Sequence, residues 1–541
     1  MGKYLREHRS VILLGIFLLT LTSIPYLVGY FMQGDLWRFT GFVFGVEDGN
    51  SYIAKMLRGA NGDWLFRTPY TATPQRGFLA FLPYLLLGKL TAPPGQHEQL
   101  VGLFHLFRWF AGLAMVLATY DFVALFVHRH QTRLFATSLI VAGGGLGWLS
   151  LTGLGFLKIG RIPLEYYSPE TFGFLSFYGL PHLSLSRALM LWGFVLLLQR
   201  KKNSGLCGGG VWLILSFVQP LTVLTGWFLL AIYCILLFFL AYREERHTLF
   251  IIPPQPFAEI KQILAMMAIS SPLIIYTFLS LRANPFVGQW AKQNLLLSPP
   301  ITDYFLSFSV FLPFLILGVW RIFAPGPKRG VESKTLILVA WVISFPLLAY
   351  FPYNVQRRLP DGIWVATIIL AILGLTGFPK SFQRIFLGIF STGFISSVLL
   401  LAGGIMVSLK PALPVFRTSS EVKAFHFLAQ NVEKDSILLC SYETGNAVPA
   451  WAPVHVLIGH GPESAYLEDL KPLVSAFYSP EKMNDETREH FLRDYDVEYL
   501  LIGESERILG RWKPDLEAKY QKVYDHENYQ IYEILKDATV E

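Results

Sequence analysis

Long apolar runs recur along this chain from Val11 to about Ser408. Each is near the roughly 20 residues that a helix needs to cross the hydrocarbon of a bilayer. Inside lipid every backbone N–H and C=O must find a partner within its own segment, so runs of this kind have to be helices. Only 15% of the residues are charged and 53% are hydrophobic, where a soluble chain carries about a quarter charged. The reading is a polytopic α-helical membrane protein.

Eleven spans can be threaded, at about 11–32, 99–127, 134–151, 184–198, 211–220, 221–242, 263–281, 304–319, 335–351, 363–377 and 385–408. The pair at 211–242 is one apolar run interrupted by Gln219-Pro220 and reads as a tight hairpin. The apolar stretch 78–90 is short and contains Pro83, so it reads as an interfacial or re-entrant helix. The leader MGKYLREHRS precedes an apolar core too long for a cleaved signal, which predicts a retained first helix with its N-terminus in the cytoplasm. The loops HRHQTR, RKKN, REERH, APGPKRGVESK and PKSFQR then fall inside and are basic or nearly balanced, as the positive-inside rule asks. The net charge of +7 therefore bears on topology and not on nucleic acid. Cys207, Cys234 and Cys440 offer no disulfide framework or metal spacing. The long outer loops are 33–98, 152–183 and 282–303.

Beyond Pro411-Ala-Leu-Pro414 the composition changes, dividing a membrane domain at 1–410 from a soluble domain at 415–541. SSEVKAFHFLAQNV has helical spacing with Ser419 or Ser420 as its cap. SILLCSY, VHVLIGH, VEYLLIG and YQIYEIL read as strands. A small extracytoplasmic α/β domain is expected there.

The first outer loop carries two adjacent acids, Glu47 and Asp48, in GVEDGNSYIAKMLRGA. Outside the membrane ATP and nucleotide sugars are not at hand, so activated substrates come on lipids. Transfer from a polyprenyl-phosphate sugar needs a carboxylate to take the acceptor's proton or to hold a divalent cation such as Mg²⁺ or Mn²⁺. It also needs positive charge for the departing phosphate. Glu47 and Asp48 fit the first role. The same stretch has a structural reading, with Asp48 or Asn50 capping the helix SYIAKMLRGA. Arg357 and Arg358 in FPYNVQRRLPDG fit the second role, since guanidinium grips phosphate oxygens in pairs. They read equally as interfacial arginines reaching headgroups. His182, with Glu165 and Glu170 nearby in sequence, could form an acid–base or metal site, or simply start a helix. Asp121 reads as structural. Glu443, Asn446, His460 and Glu463 lie in turns after two expected strands, where such domains present binding groups; ordinary loop chemistry is the alternative there. A metal set is not specified by any spacing.

FGVEDGNSYIAKM, GFLAFLPYLLLGKL with the helix LVGLFHLFRWFAGLAMVLATYDFVALF after it, YSPETFGFLSFYGLPHLSLSRALMLWGF and RRLPDG together resemble the GT-C superfamily of membrane glycosyltransferases. The likeness is to bacterial relatives of the protein O-mannosyltransferases and lipid A aminoarabinose transferases. It covers about 400 residues in topology, and its motifs are short. It implies a GT-C-like membrane domain and inverting hexosyl or pentosyl transfer from a polyprenyl-phosphate donor. The acceptor would be a lipid, glycan or protein at the outer face of the plasma membrane. It also implies that Asp48, seconded by Glu47, is the base or metal-site acid, and that Arg357 and Arg358 bind the lipid phosphate. Many members carry further acids in a later outer loop, where this chain has only Asp303. His182, Glu170, His460 and Glu463 would be acceptor or accessory groups, and the partners would be the donor, membrane lipids and the acceptor. A multi-pass transporter or flippase is the competing reading, and a polymer-binding scaffold the third.

Overall fold

The computed structural model describes residues 7–151, 162–244, 254–324, 332–514 and 519–535. The chain divides into two compact units. One comprises Met1–Ile24, Leu106–Thr277 and Leu295–Gly403; the other comprises Pro25–His105, Phe278–Asn294 and Gly404–Glu541.

The first unit is helical. Across the described residues six helices are long and apolar enough to cross a membrane: Arg9–Met32, Gln96–Ala124, Pro181–Leu198, Pro220–Tyr242, Phe257–Ala283 and Lys380–Leu409. Their number makes this a multi-pass membrane protein. A seventh span exists if the bent pair Ile301–Phe308 and Leu312–Phe323 counts as one. Four shorter helices, His130–Ala142, Ser204–Val218, Leu336–Ala349 and Ile363–Leu375, occupy the other expected positions.

Local chemistry explains where the helices depart from the sequence expectation. The run 304–319 is not straight but turns by 82°. Pro313 has no N–H to give a continuing helix and instead sits in the first turn of a new one. The run 134–151 stops at Ala142, before three glycines, and a Cβ on Gly145 would stand 2.1 Å from the Ser307 carbonyl oxygen. The run 385–408 is broken at Thr392-Gly393, where the Gly144 N–H donates to the Gly393 carbonyl at 2.8 Å. The helix expected from 211 begins at Ser204. Its glycines do not weaken it into a loop, because Gly205 and Gly209 lie against the backbone of Gln262 and Met266, where a larger residue could not.

The second unit carries all the strands among the described residues. A two-stranded antiparallel ladder pairs β1 (Trp37–Phe39) with β2 (Phe416–Thr418). The other sheet contains β3 (Ile437–Leu439), β4 (His455–Val456), β5 (Tyr499–Ile502), β6 (Tyr520–His526) and β7 (Tyr529–Ile534), in the order β4-β3-β5-β7-β6. β3 is parallel to both β4 and β5, whereas β7 is antiparallel to β5 and β6. Leu439, Leu457, Leu500, Phe477, Phe491 and Trp512 build its core. The helix Ser419–Asn431 is capped by Thr418, whose hydroxyl accepts from the Glu421 N–H at 3.3 Å, and not by Ser419 or Ser420. Thr418 is the residue with extended φ/ψ, which is what the capping position needs. The interfacial stretch 78–90 shortens to the helix Leu82–Gly88, with Pro83 at its start and not as its break.

Candidate functional site

The helix Val46–Ala60 begins earlier than its composition suggests. Gly45, at φ +54°, supplies the left-handed turn that lets it start at Val46, and no side chain caps it. Asp48 and Asn50 are therefore inside the helix and do not cap it. Both acids occupy the first turn, where the helix dipole favours negative charge. One face buries Ile53, Met56 and Leu57, and the same helix also buries Asn50, Ser51 and Lys55. Gly59 and Gly88 allow this helix and Leu82–Gly88 to touch backbone to backbone.

The second element is the turn after β4, Gly459-His460-Gly461, which belongs to the same unit. A Cβ on Gly459 would fall 2.3 Å from Gly445, so only glycine permits this path. The turn and the helix meet through side chains. Glu47 Oε1 accepts from the Gly461 N–H at 2.9 Å and from the Tyr442 hydroxyl at 2.6 Å. Burial and then the hydrogen bond to Glu47 push the Tyr442 hydroxyl well above its ordinary range, so it keeps its proton and donates. The Asp48 side chain is 59% exposed, with Oδ1 3.3 Å from His460 Nε2. Both acids are thus exposed, Glu47 against Gly461 and Tyr442 and Asp48 against His460.

Beneath them lies a buried ion pair. Glu463, 4% exposed, accepts from Lys55 Nζ at 2.5 Å, Thr68 Oγ1 at 2.8 Å and Ser51 Oγ at 3.1 Å. Burial raises the Glu463 carboxyl, but Lys55, His460 and these hydrogen bonds outweigh it and hold the group below the usual carboxylate range. Asn446 ties the same region together. Its amide donates to the Glu47 carbonyl at 3.2 Å and accepts from Asn50 at 2.8 Å, while Tyr70 donates to its backbone oxygen at 3.1 Å. Of Glu443, the contact in view is its backbone carbonyl, which accepts from Arg417 at 3.4 Å.

The remaining candidates belong to the other unit. Arg358 Nε stands 3.2 Å from Glu170 Oε1, and the Arg357 guanidinium lies 5.0 Å from the Tyr167 ring centre. Burial lifts the Glu170 carboxyl above its usual range by more than Arg358 and Arg357 lower it. The Glu170 carbonyl accepts from Arg187 at 2.6 Å and from the Gly362 N–H at 2.9 Å. Arg187 in turn forms a buried ion pair with Asp361 at 2.6 Å, and Thr222 donates to the other Asp361 oxygen. Arg187 and Asp361 were not singled out from sequence, although an arginine within the apolar run LSLSRALMLWGF was a usable signal. His182 starts the helix Pro181–Leu198. Glu165 takes Ser307 and Ser396 as partners, and Glu170 stands beside Arg358. Asp121 accepts from Trp192 at 3.1 Å and meets His8 at 2.7 Å.

Among the described residues no three His, Cys, Asp or Glu side chains are grouped to hold a metal ion.

The sequence matches no protein-family model and no curated protein. Solved structures similar to the chain include an oligosaccharyltransferase and ArnT. The apo oligosaccharyltransferase of Archaeoglobus fulgidus is 12% identical, covers 90% of this chain and 69% of its own, and has a TM-score of 0.49. The same enzyme with Zn and sulfate is 14% identical, with coverages of 89% and 67% and a TM-score of 0.47. ArnT of Cupriavidus metallidurans, bound to undecaprenyl phosphate, is 12% identical over 96% of this chain and 97% of its own, with a TM-score of 0.45.

Proposed function

We propose that this protein transfers a hexosyl or pentosyl group from a polyprenyl-phosphate donor to a hydroxyl of a lipid, glycan or protein at the outer face of the plasma membrane. The observation that carries the reading is the state of Asp48. It is a solvent-facing carboxylate on a helix, beside an acid held by two donors and above a buried ion pair. The resemblance of FGVEDGNSYIAKM to the GT-C first-loop motif supports the same residue.

In this reading the N-terminus is cytoplasmic and residues 415–541 are extracytoplasmic. The acceptor oxygen attacks the anomeric carbon as the bond from that carbon to the phosphate oxygen breaks, and the bonding pair leaves with the polyprenyl phosphate. Asp48 takes the acceptor's proton, which makes the oxygen a competent nucleophile. Positive charge for the phosphate that develops is the role the resemblance gives to Arg357 and Arg358. Backside attack inverts the configuration. No step is routed through a metal.

Transport is a second reading with one observation in its favour: interrupted helices meet at a buried acid, Glu165, through Ser307 and Ser396. Purified protein in sealed proteoliposomes, given a panel of polyprenyl-phosphate sugars, separates the two. Release of free polyprenyl phosphate that disappears in folded Asp48→Asn is expected. Sugar-lipid that crosses the bilayer intact, at equal rates in wild type and Asp48→Asn, would establish transport and overturn the enzyme.

A further inference from the structure

His460 is 7% exposed and stands between two carboxylates. Its Nε2 is 3.3 Å from Asp48 Oδ1, and its Nδ1 is 3.9 Å from Glu463 Oε1. Nδ1 is buried and has no hydrogen-bond partner, so the ring is placed by its surroundings and not by a bond at that nitrogen. Those surroundings are rigid. Ser464 Oγ accepts from the backbone N–H of both Gly459 and His460, and the Tyr70 ring lies 5.4 Å away. Glu463 is fixed by Lys55, Ser51 and Thr68. The ionisable groups around the ring are Asp48, Glu47 and Lys55 from the helix, Glu463 from its own turn, Tyr70 from the loop that follows the helix, and Tyr442, which is hydrogen-bonded to Glu47.

We propose that His460 is the positioning residue for the Asp48 carboxylate, and that the buried Lys55–Glu463 pair fixes His460 in that place. The inference rests on Asp48 being the base. A buried ion pair adds little net stability over an apolar pair of the same volume, so its consequence here lies in what it orients. Only some rotamers of the Asp48 carboxylate aim an oxygen at an incoming hydroxyl. A donor at Nε2 selects one of them.

The test uses the full chain in nanodiscs with ¹⁵N-labelled histidine, as wild type, Asp48→Asn, His460→Ala and His460→Gln. The resonances absent from both His460 variants identify the ring. In Asp48→Asn both ring nitrogens of His460 are expected to shift while the other histidines stay in place; an unmoved His460 spectrum would overturn the proposal. In the polyprenyl-phosphate release assay, His460→Ala is expected to lower kcat by about 10- to 100-fold with the donor KM unchanged. His460→Gln, whose amide nitrogen stands near the place of Nε2, recovers part of it. Full activity in folded His460→Ala alongside an inactive Asp48→Asn refutes this inference alone. Full activity in Asp48→Asn refutes the enzymatic reading beneath it. With no turnover in any sample, the spectra decide.

Discussion

Lys55→Met tests the electrostatic floor of the site. The substitution keeps an unbranched side chain of similar length against Tyr52, Phe66 and Phe81, whose rings lie 5.6, 5.3 and 4.4 Å from Nζ. It removes the cation while Glu463 stays buried with two hydroxyl donors, Ser51 and Thr68. Breaking one partner of a buried pair costs about 3–5 kcal/mol, since the remaining charge has lost its compensation. At roughly 2–4 °C per kcal/mol for a domain of 150–250 residues, the apparent Tm of the second unit should fall by roughly 6–20 °C. The sign of the pH dependence follows from Glu463. In the wild type its folded pKa is depressed, so the stability it contributes is present above the unfolded value of about 4.3 and is lost as pH falls through the folded value. Without Lys55 burial dominates and the shift reverses. The defect of Lys55→Met should therefore shrink as the buffer is acidified from pH 7.5 toward 5. Lys55→Met/Glu463→Gln, which removes both charges, should regain most of the lost stability. Thermal unfolding followed by tryptophan fluorescence in one detergent reads all three proteins. A Lys55→Met protein within 1 °C of wild type, or a double variant no better than the single, would show that the pair is not the buried charge couple argued above.

Three further outcomes are expected. Gly88→Ala would put a Cβ 1.7 Å from the Met56 carbonyl oxygen, and overpacking of that kind costs about 1–3 kcal/mol; a lowered Tm with unchanged helical circular dichroism checks it. Glu47→Gln keeps an oxygen for Tyr442 and the Gly461 N–H, so it should cost less than 10-fold in kcat, against roughly 10²- to 10⁴-fold for Asp48→Asn, in paired assays of polyprenyl phosphate release. On the proposed reading, Arg358→Gln removes a charged partner of the donor phosphate, worth about 1.5–3 kcal/mol. It should raise the dissociation constant of a polyprenyl-phosphate probe by roughly 10- to 100-fold, measured by titration of a fluorescent analogue.

How much of this could be read from sequence depends on the range of the physics involved. Helices across the apolar runs and β3, β5 and β7 were legible, because hydrophobic periodicity is a local signal. Asp48, Glu47, His460 and Glu463 were each visible as candidates, but in separate turns. What joins them was not: Lys55 reads as an ordinary polar position of an amphipathic helix, and nothing near it in the chain announces an acid 408 residues away. β1 and β2 were missed for a related reason, since each is defined by its partner some 377 residues away and not by a local apolar run. The helix breaks at Ala142 and Thr392 depend on Gly144 and Gly393 meeting across the fold. The cap misassignment at Asp48 and Asn50 came from reading the acids as punctuation, when Gly45 supplied the turn through its backbone.

The distance between Lys55 and Glu463 along the chain also sets a timetable. A ribosome adding about 5–20 residues per second makes Lys55 and then needs roughly 20 to 80 s before Glu463 exists to meet it. Until residue 418 is made β1 has no β2 to pair with, and until residue 463 the first-loop helix has its cation and no anion. Every apolar run has been synthesised by the time the two ends close on one another. A chain cut short anywhere between Leu409 and Glu463 would thus carry every helix long enough to cross a membrane and no Lys55–Glu463 pair, which makes late truncations separable from insertion defects by their largely retained helical signal and absent activity.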